Sequence, residues 1–176
     1  MNPKLYWIDS QSSGRLAISA RPRGGDWLED EIEGWHKAGV DAVVSLLTPQ
    51  EIEDLALQRE SRLSAARGIR FISLPIEDRG VPASWSEASS VVADVTDILR
   101  RGRSVAIHCR QGIGRSGMIA AAVLEAQGAS PDDALGRVSR ARGLEVPETP
   151  QQREWIRQFA KSEVASKHAL LRAPLK

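Results

Sequence analysis

Short apolar runs, each closed by a turn signal, alternate along this chain with longer stretches whose apolar positions recur every three or four residues. The short runs predict strands and the longer stretches predict helices. Strands are expected at residues 5–8, 16–19, 42–47, 70–74 and 104–108. Residues 26–37 predict a helix, with Trp27, Leu28, Ile32 and Trp35 at helical spacing and Gly39 ending it. Residues 50–66 are helical in character, in one piece or in two. Residues 85–101 predict a long helix with Val91, Val92, Val95, Ile98 and Leu99 on one side. Ser130 caps a helix opened by Pro131, and a last helix runs from Pro150 towards Ser166.

Near-continuous apolar strands separated by helices indicate an α/β fold. The expected architecture is a mainly parallel central sheet flanked by helices on both faces. Ligands in such sheets bind beyond the carboxyl ends of the strands. Trp27 and Trp35 are expected in the core rather than as a substrate platform, while Trp85 is open to either role. A single domain is expected over residues 1–168, with 169–176 a loosely ordered tail.

Composition narrows the function classes. The chain has 176 residues, 41% of them hydrophobic, enough for one domain with a sizeable core. A formal net charge of +1 sets up no strong field for nucleic acid or an anionic membrane. The single cysteine, Cys109, allows no internal disulfide and suits a reducing compartment, so a cytoplasmic location is expected. The first residues have no long apolar core, so no leader peptide is expected, and no run approaches the roughly 20 apolar residues of a membrane span. No internal repeat points to an array, and a monomer is the expectation.

The candidate chemistry lies in His108-Cys109-Arg110-Gln111-Gly112-Ile113-Gly114-Arg115-Ser116-Gly117. An apolar strand leads in and a helical run, Met118 to Leu124, leads out. A loop that closes on a helix N-terminus turns several backbone N–H groups inward, and the helix dipole adds positive charge. Gly112 and Gly114 let the chain curl tightly. Arg115 offers a planar fork of donors matched to two phosphoryl oxygens. The same surroundings favour thiolate at Cys109, the nucleophilic form. The plain alternative is a buried apolar cysteine and a surface arginine. The G-x-x-x-x-G-K-[ST] motif is absent from the sequence, which argues against a nucleotide triphosphatase of that kind.

A leaving oxygen departs more easily if it is protonated as it goes. The segment 74–82 supplies a candidate acid on a loop that follows the strand at 70–74. It therefore emerges at the same sheet edge as the cysteine loop. Asp78 is the chosen acid, with Glu77 as the alternative; the plain alternative is a solvated acidic turn.

These residues resemble the cysteine-dependent protein tyrosine phosphatase superfamily, in particular its compact dual-specificity branch. His108 to Ser116 match the His-Cys-(x)5-Arg-Ser/Thr signature, and Pro75-Ile76-Glu77-Asp78 is similar to the branch's acid loop. The resemblance covers roughly residues 16–159. It implies a phosphocysteine at Cys109. Arg115 and the loop amides from Arg110 through Gln111, Gly112, Ile113 and Gly114 would bind the phosphoryl group. Asp78 would act as acid and then base, Ser116 would assist the sulfur as it leaves, and His108 would orient the loop. It implies no metal and no cofactor. Downstream, Glu148-Thr149-Pro150-Gln151-Gln152 is similar to the family's glutamine loop, with Gln152 as the second glutamine, implied to position water. Glu148 stands where the first would be, which puts a family-like role there in doubt. A helix start, with Thr149 as cap, reads the same residues equally well.

The implied partner is a phosphorylated protein carrying phosphotyrosine, and phosphoserine or phosphothreonine if the mouth is shallow. The other readings are a phosphatase for a phosphoinositide or sugar phosphate, and a phosphate-binding module without turnover. The loop holds no lysine, and Arg110 is its one additional cation, which argues against the lipid. Arg21 and Arg23 could add contacts to an acidic substrate, or form a solvated turn.

Overall fold

A computed structural model of the chain describes residues 4–172. Five strands form one sheet among these residues: β1 (Tyr6–Ile8), β2 (Leu16–Ala20), β3 (Ala42–Ser45), β4 (Arg70–Ser73) and β5 (Val105–Cys109). Their spatial order is β1-β2-β5-β3-β4. The pairs β2–β5, β5–β3 and β3–β4 are parallel, and β1 joins the edge antiparallel to β2. The helices are α1 (Leu28–Lys37), α2 (Pro49–Asp54), α3 (Glu60–Ala66), α4 (Trp85–Arg100), α5 (Gly114–Ala126), α6 (Pro131–Arg142) and α7 (Pro150–Arg172).

The central strand, β5, is buried along its whole length. Its side chains alternate between two cores. Val105, Ile107 and Cys109 join the larger core, which α4, α5, α6 and α7 complete. Ala106 lies in the smaller core under α1 and α3, with Leu28, Ile32, Trp35 and Leu63. Helix α5 is buried all round, from Gly114 to Glu125, and three successive alanines, Ala120 to Ala122, let its neighbours approach closely. It contacts β2, β5, α4, α6 and α7, so the cysteine loop is clamped between a central strand and a central helix.

The expected helix at 50–66 forms as two pieces. Thr48 opens α2 with a capping box, in which its hydroxyl accepts from Glu51 N and Glu51 accepts from Thr48 N. The chain then turns at Ala56, which has φ 53°, before α3. Ser130 caps α6 as the pattern predicts.

Trp27 corrects one expectation. It is 57% exposed, beneath the Arg23 guanidinium, whereas Trp35 is fully buried. The reason is local: Trp27 ends a 3-10 turn (Gly25–Trp27) and forms the cap of α1, so the helical spacing that includes it breaks there. Trp85 packs against Trp155 and Phe159 at ring distances of 5.3 and 5.6 Å, an aromatic seam between α4 and α7. Residues 169–172 of the expected tail continue α7, and 173–176 lie outside the described residues. No helix among the described residues is long and apolar enough to cross a membrane.

Candidate active site

The parallel strands β5, β3 and β4 end at one edge, and the three loops that leave them meet there. Cys109 is the last residue of β5, in register with Ala20 of β2. After it the chain curls through Gly112 at φ +68°, where a Cβ would lie 2.5 Å from the Ser19 carbonyl carbon. Only glycine permits that approach to β2. Arg142 of α6 braces the curl from outside. Its Nε donates to Gly112 O at 2.8 Å and its Nη2 to Gln111 O at 3.4 Å. With those carbonyls turned out, trans peptide planarity turns the N–H groups of Gly112 and Ile113 the other way, into the concave side. Ile113 caps α5 with no side-chain hydrogen bond, so the first N–H groups of that helix also face the loop's interior unclaimed by a cap.

The cavity in front of this loop has a volume of about 270 Å³ and is lined by Asp78, Arg79, Cys109, Arg110, Arg115 and Glu148, among others. Cys109 is 3% exposed, at the floor. Ser116 Oγ lies 3.4 Å from its Sγ. Arg115 is 1% exposed and heavily bonded. Its Nη1 donates to Glu51 Oε2 at 2.7 Å and Ile76 O at 2.8 Å, with Leu46 O at 3.4 Å. Its Nη2 donates to Glu51 Oε1 at 2.9 Å and Asp78 Oδ1 at 3.2 Å.

Glu51 is therefore the buried counter-ion of Arg115, held two-pronged. Burial pushes its carboxyl up, but hydrogen bonds from Arg115 and Thr48 outweigh this and hold it below the usual carboxylate range. For Arg115, burial opposes the charge. Glu51, Cys109 and Asp78 overcome that, so the guanidinium titrates above its usual range. The pattern of the chain did not single out Glu51. Its signal was available: an acid in the first turn after a strand that ends at the cysteine's sheet edge.

His108 points to the other face of the sheet. Its Nε2 lies 2.8 Å from Glu60 Oε1, both side chains are buried, and its ring lies 5.7 Å from Trp35. Glu60 and Arg142 are further residues the sequence reading missed; both sit on helices and come near the loop only through the fold.

Gln152 is fully buried and does not line the cavity. Its Oε1 accepts from Thr149 N at 3.3 Å and its own N donates to Thr149 Oγ1 at 3.2 Å, a capping box that starts α7. Its Nε2 donates to Gly80 O at 3.0 Å, which ties α7 to the acid loop. Glu77 is exposed and lies outside the lining residues, whereas the Asp78 side chain, 61% exposed, reaches in to Arg115. Arg79, next in line, has φ +61°, which holds the turn in a backbone region unfavourable for a non-glycine residue. Arg23 pairs with Glu31 at 2.7 Å and Arg21 donates to Pro22 O at 2.9 Å; neither lines the cavity.

This arrangement presents a cysteine sulfur, inward-turned amide donors, a fixed guanidinium and a carboxyl group at one mouth. Among the described residues, no cluster of three or more histidine, cysteine or carboxylate side chains is placed to hold a metal ion.

Comparison with known proteins gives matching results. Residues 19–129 match the family model described as polymorphic toxin system, DSP-PTPase phosphatase. Cyclin-dependent kinase inhibitor 3 from Rattus norvegicus is 25% identical over 134 residues, which span 75% of this chain and 63% of that protein. The Homo sapiens protein of the same name matches over the same shares. This chain thus spans under two thirds of the length of these curated relatives. The solved structure of kinase associated phosphatase, with serine in place of its catalytic cysteine, superposes with a TM-score of 0.82 at 21% identity. It covers 94% of this chain and 98% of that one. The active form of Tk-PTP is 30% identical, with a TM-score of 0.73 over 89% of this chain and 96% of its own.

Proposed function

This chain belongs to the cysteine-based DSP-PTPase phosphatase family, and from that membership we propose that it is a metal-independent phosphomonoester hydrolase working through a phosphocysteine. The observation that carries the reading is the Cys109 sulfur on the floor of a cavity whose wall is the bonded Arg115 guanidinium.

The geometry suggests how the parts act. Arg115 Nε has no hydrogen-bond partner among the described residues, and Nη2 shares a hydrogen with the exposed Asp78. A phosphoryl group that takes Nε and this Nη2 hydrogen displaces Asp78 without disturbing Glu51. The displaced carboxyl then stands beside the leaving oxygen, where its acid form can serve as the proton donor. Cys109 Sγ attacks phosphorus, the bond to the leaving oxygen breaks, and Asp78 gives that oxygen its proton. Water then attacks phosphorus, Asp78 takes the proton, and the sulfur–phosphorus bond breaks with Ser116 donating to the departing sulfur. His108 orients the loop from behind. Gln152 supports Asp78 through Gly80, a route that needs no direct contact with substrate.

The favoured substrate is a phosphoprotein, with phosphotyrosine first and phosphoserine or phosphothreonine admitted. A single, buried, free cysteine suits a reducing compartment, and the cytoplasm is the one proposed. The test is hydrolysis of para-nitrophenyl phosphate in excess chelator. Vanadate-sensitive turnover by the wild type and its loss in Cys109→Ser are expected; no turnover by the wild type would leave a phosphate-binding module.

A further inference from the structure

The carboxylate of Glu148 stands where an anion cradle should least tolerate one. One of its oxygens lies 2.4 Å from where a Cβ on Gly114 would sit, so the carboxylate rests against the first turn of α5. The positive end of the helix dipole accounts for its resting there. It also makes Glu148 a neighbour of any phosphate bound by the same turn. Among the described residues it has neither a hydrogen-bond nor an ion-pair partner, and it lines the mouth.

The other charges of the mouth do not offset it. Arg115 is shared between Glu51 and Asp78. Arg110 lies 3.9 Å from Glu51, so part of its charge is directed inward. Arg79 is on the acid-loop side, next to Asp78. Three arginines, Arg79, Arg110 and Arg115, thus face three carboxylates, Glu51, Asp78 and Glu148. Glu51 and Asp78 are each paired with an arginine, so among the described residues Glu148 is the carboxylate that meets and repels a bound phosphate at the mouth with no cation of its own. A substrate with further phosphates or acidic neighbours meets that repulsion again. A substrate with a cation beside its phosphoester relieves it.

We infer that Glu148 is a specificity determinant that selects phosphoesters with an adjacent positive charge, in the form of a peptide whose phosphorylated residue has a lysine or arginine neighbour. The inference rests on the phosphatase reading of the site and names its substrate class. Glu148 acts on binding, through charge, with no covalent step.

The experiment compares kcat/KM for two phosphotyrosine peptides that differ only in a flanking lysine or glutamate, for wild type, Glu148→Gln and Glu148→Lys. At a flanking distance of about 8 Å, exchanging a positive for a negative charge beside one unscreened carboxylate gives the lysine peptide an advantage of roughly five-fold in the wild type. The advantage shrinks in Glu148→Gln and inverts in Glu148→Lys. It also narrows as sodium chloride rises from low to about 0.5 M, where the screening length falls to a few ångströms. The same peptide preference in all three proteins, or a wild-type preference for glutamate, overturns the inference alone. Turnover of para-nitrophenyl phosphate but of neither peptide overturns the substrate class. Absence of turnover on every phosphoester overturns the reading of the site and this inference with it.

Discussion

Two buried polar pairs flank the end of strand β5: Arg115 with Glu51 at the cavity, and His108 with Glu60 beneath α1 and α3. The first is close to saturated. Arg115 has two bonds to Glu51, two to the Ile76 and Leu46 carbonyls and one to Asp78. The second has a single 2.8 Å contact, and Glu60 Oε2 and His108 Nδ1 have no further partner among the described residues. Among the described residues Trp35 Nε1, Ser45 Oγ and Ser64 Oγ are unpartnered as well, and Ser45 sits beside His108 in the sheet register. Buried polar groups weigh most when a network is broken after it has been completed. The cavity side is built as a rigid frame for reacting atoms. The opposite side is a looser brace behind the loop.

The largest effects should therefore come from the cavity side. Asp78→Asn should lower kcat roughly 10²–10⁴-fold for esters with poor leaving groups, and much less for good ones, which need no proton. If Glu77→Gln shows that dependence on leaving group instead, the acid is misassigned. Arg115→Lys should cost roughly 10²–10³-fold in kcat, since an ammonium cannot reproduce the fork, and a mild loss would rule out the clamp. Glu51→Ala leaves a buried guanidinium without its counter-ion and should destabilise the fold by about 3–5 kcal/mol, read from urea melts.

Smaller effects should come from behind β5. Glu60→Gln keeps a hydrogen-bonding amide at His108 and should cost about 1–2 kcal/mol. A double-mutant cycle of Glu51→Gln with Glu60→Gln then sharpens the contrast. Additivity within about 0.5 kcal/mol means that the sheet separates the two pairs, and a larger coupling means that they form one network.

Glu125 on α5 belongs to neither pair and provides a control. Burial pushes its carboxyl up to about 8, and neither oxygen has a partner among the described residues. Between the ordinary value of 4.5 and about 8 the folded chain holds a proton that the unfolded chain has lost. Stability therefore falls as pH rises through that window. Glu125→Gln should flatten the slope in urea melts run from pH 5 to 8.5. Glu51 has the opposite sign. Its lowered value supplies stability that is present above about 4.5 and lost as acid protonates it.

Periodicity was enough for the layers, because strands buried on both faces show as unbroken apolar runs and amphipathic helices show their stripe. It also brought Asp78 and Cys109 to one sheet edge, since both follow parallel strands. It failed where a residue's partner is remote. Glu51 looks like half of a local capping box, and nothing within reach along the chain announces Arg115, 64 residues away. Glu60 is the first residue of a short helix and looks solvated until α3 packs against α1 and β4 and brings it to His108. Trp27 misled for a local reason: it fits the helical stripe along the chain, but it ends a 3-10 turn ahead of α1 and the stripe does not extend to it.

The hydrogen bond from Gln152 to Gly80 makes α7 part of the mounting for the acid loop. A bulky fusion or surface attachment that levered this helix by a fraction of a turn would detune turnover while leaving the cysteine pocket intact. Reporter dyes and affinity handles are better placed on the opposite face of the sheet, along the exposed side of α1.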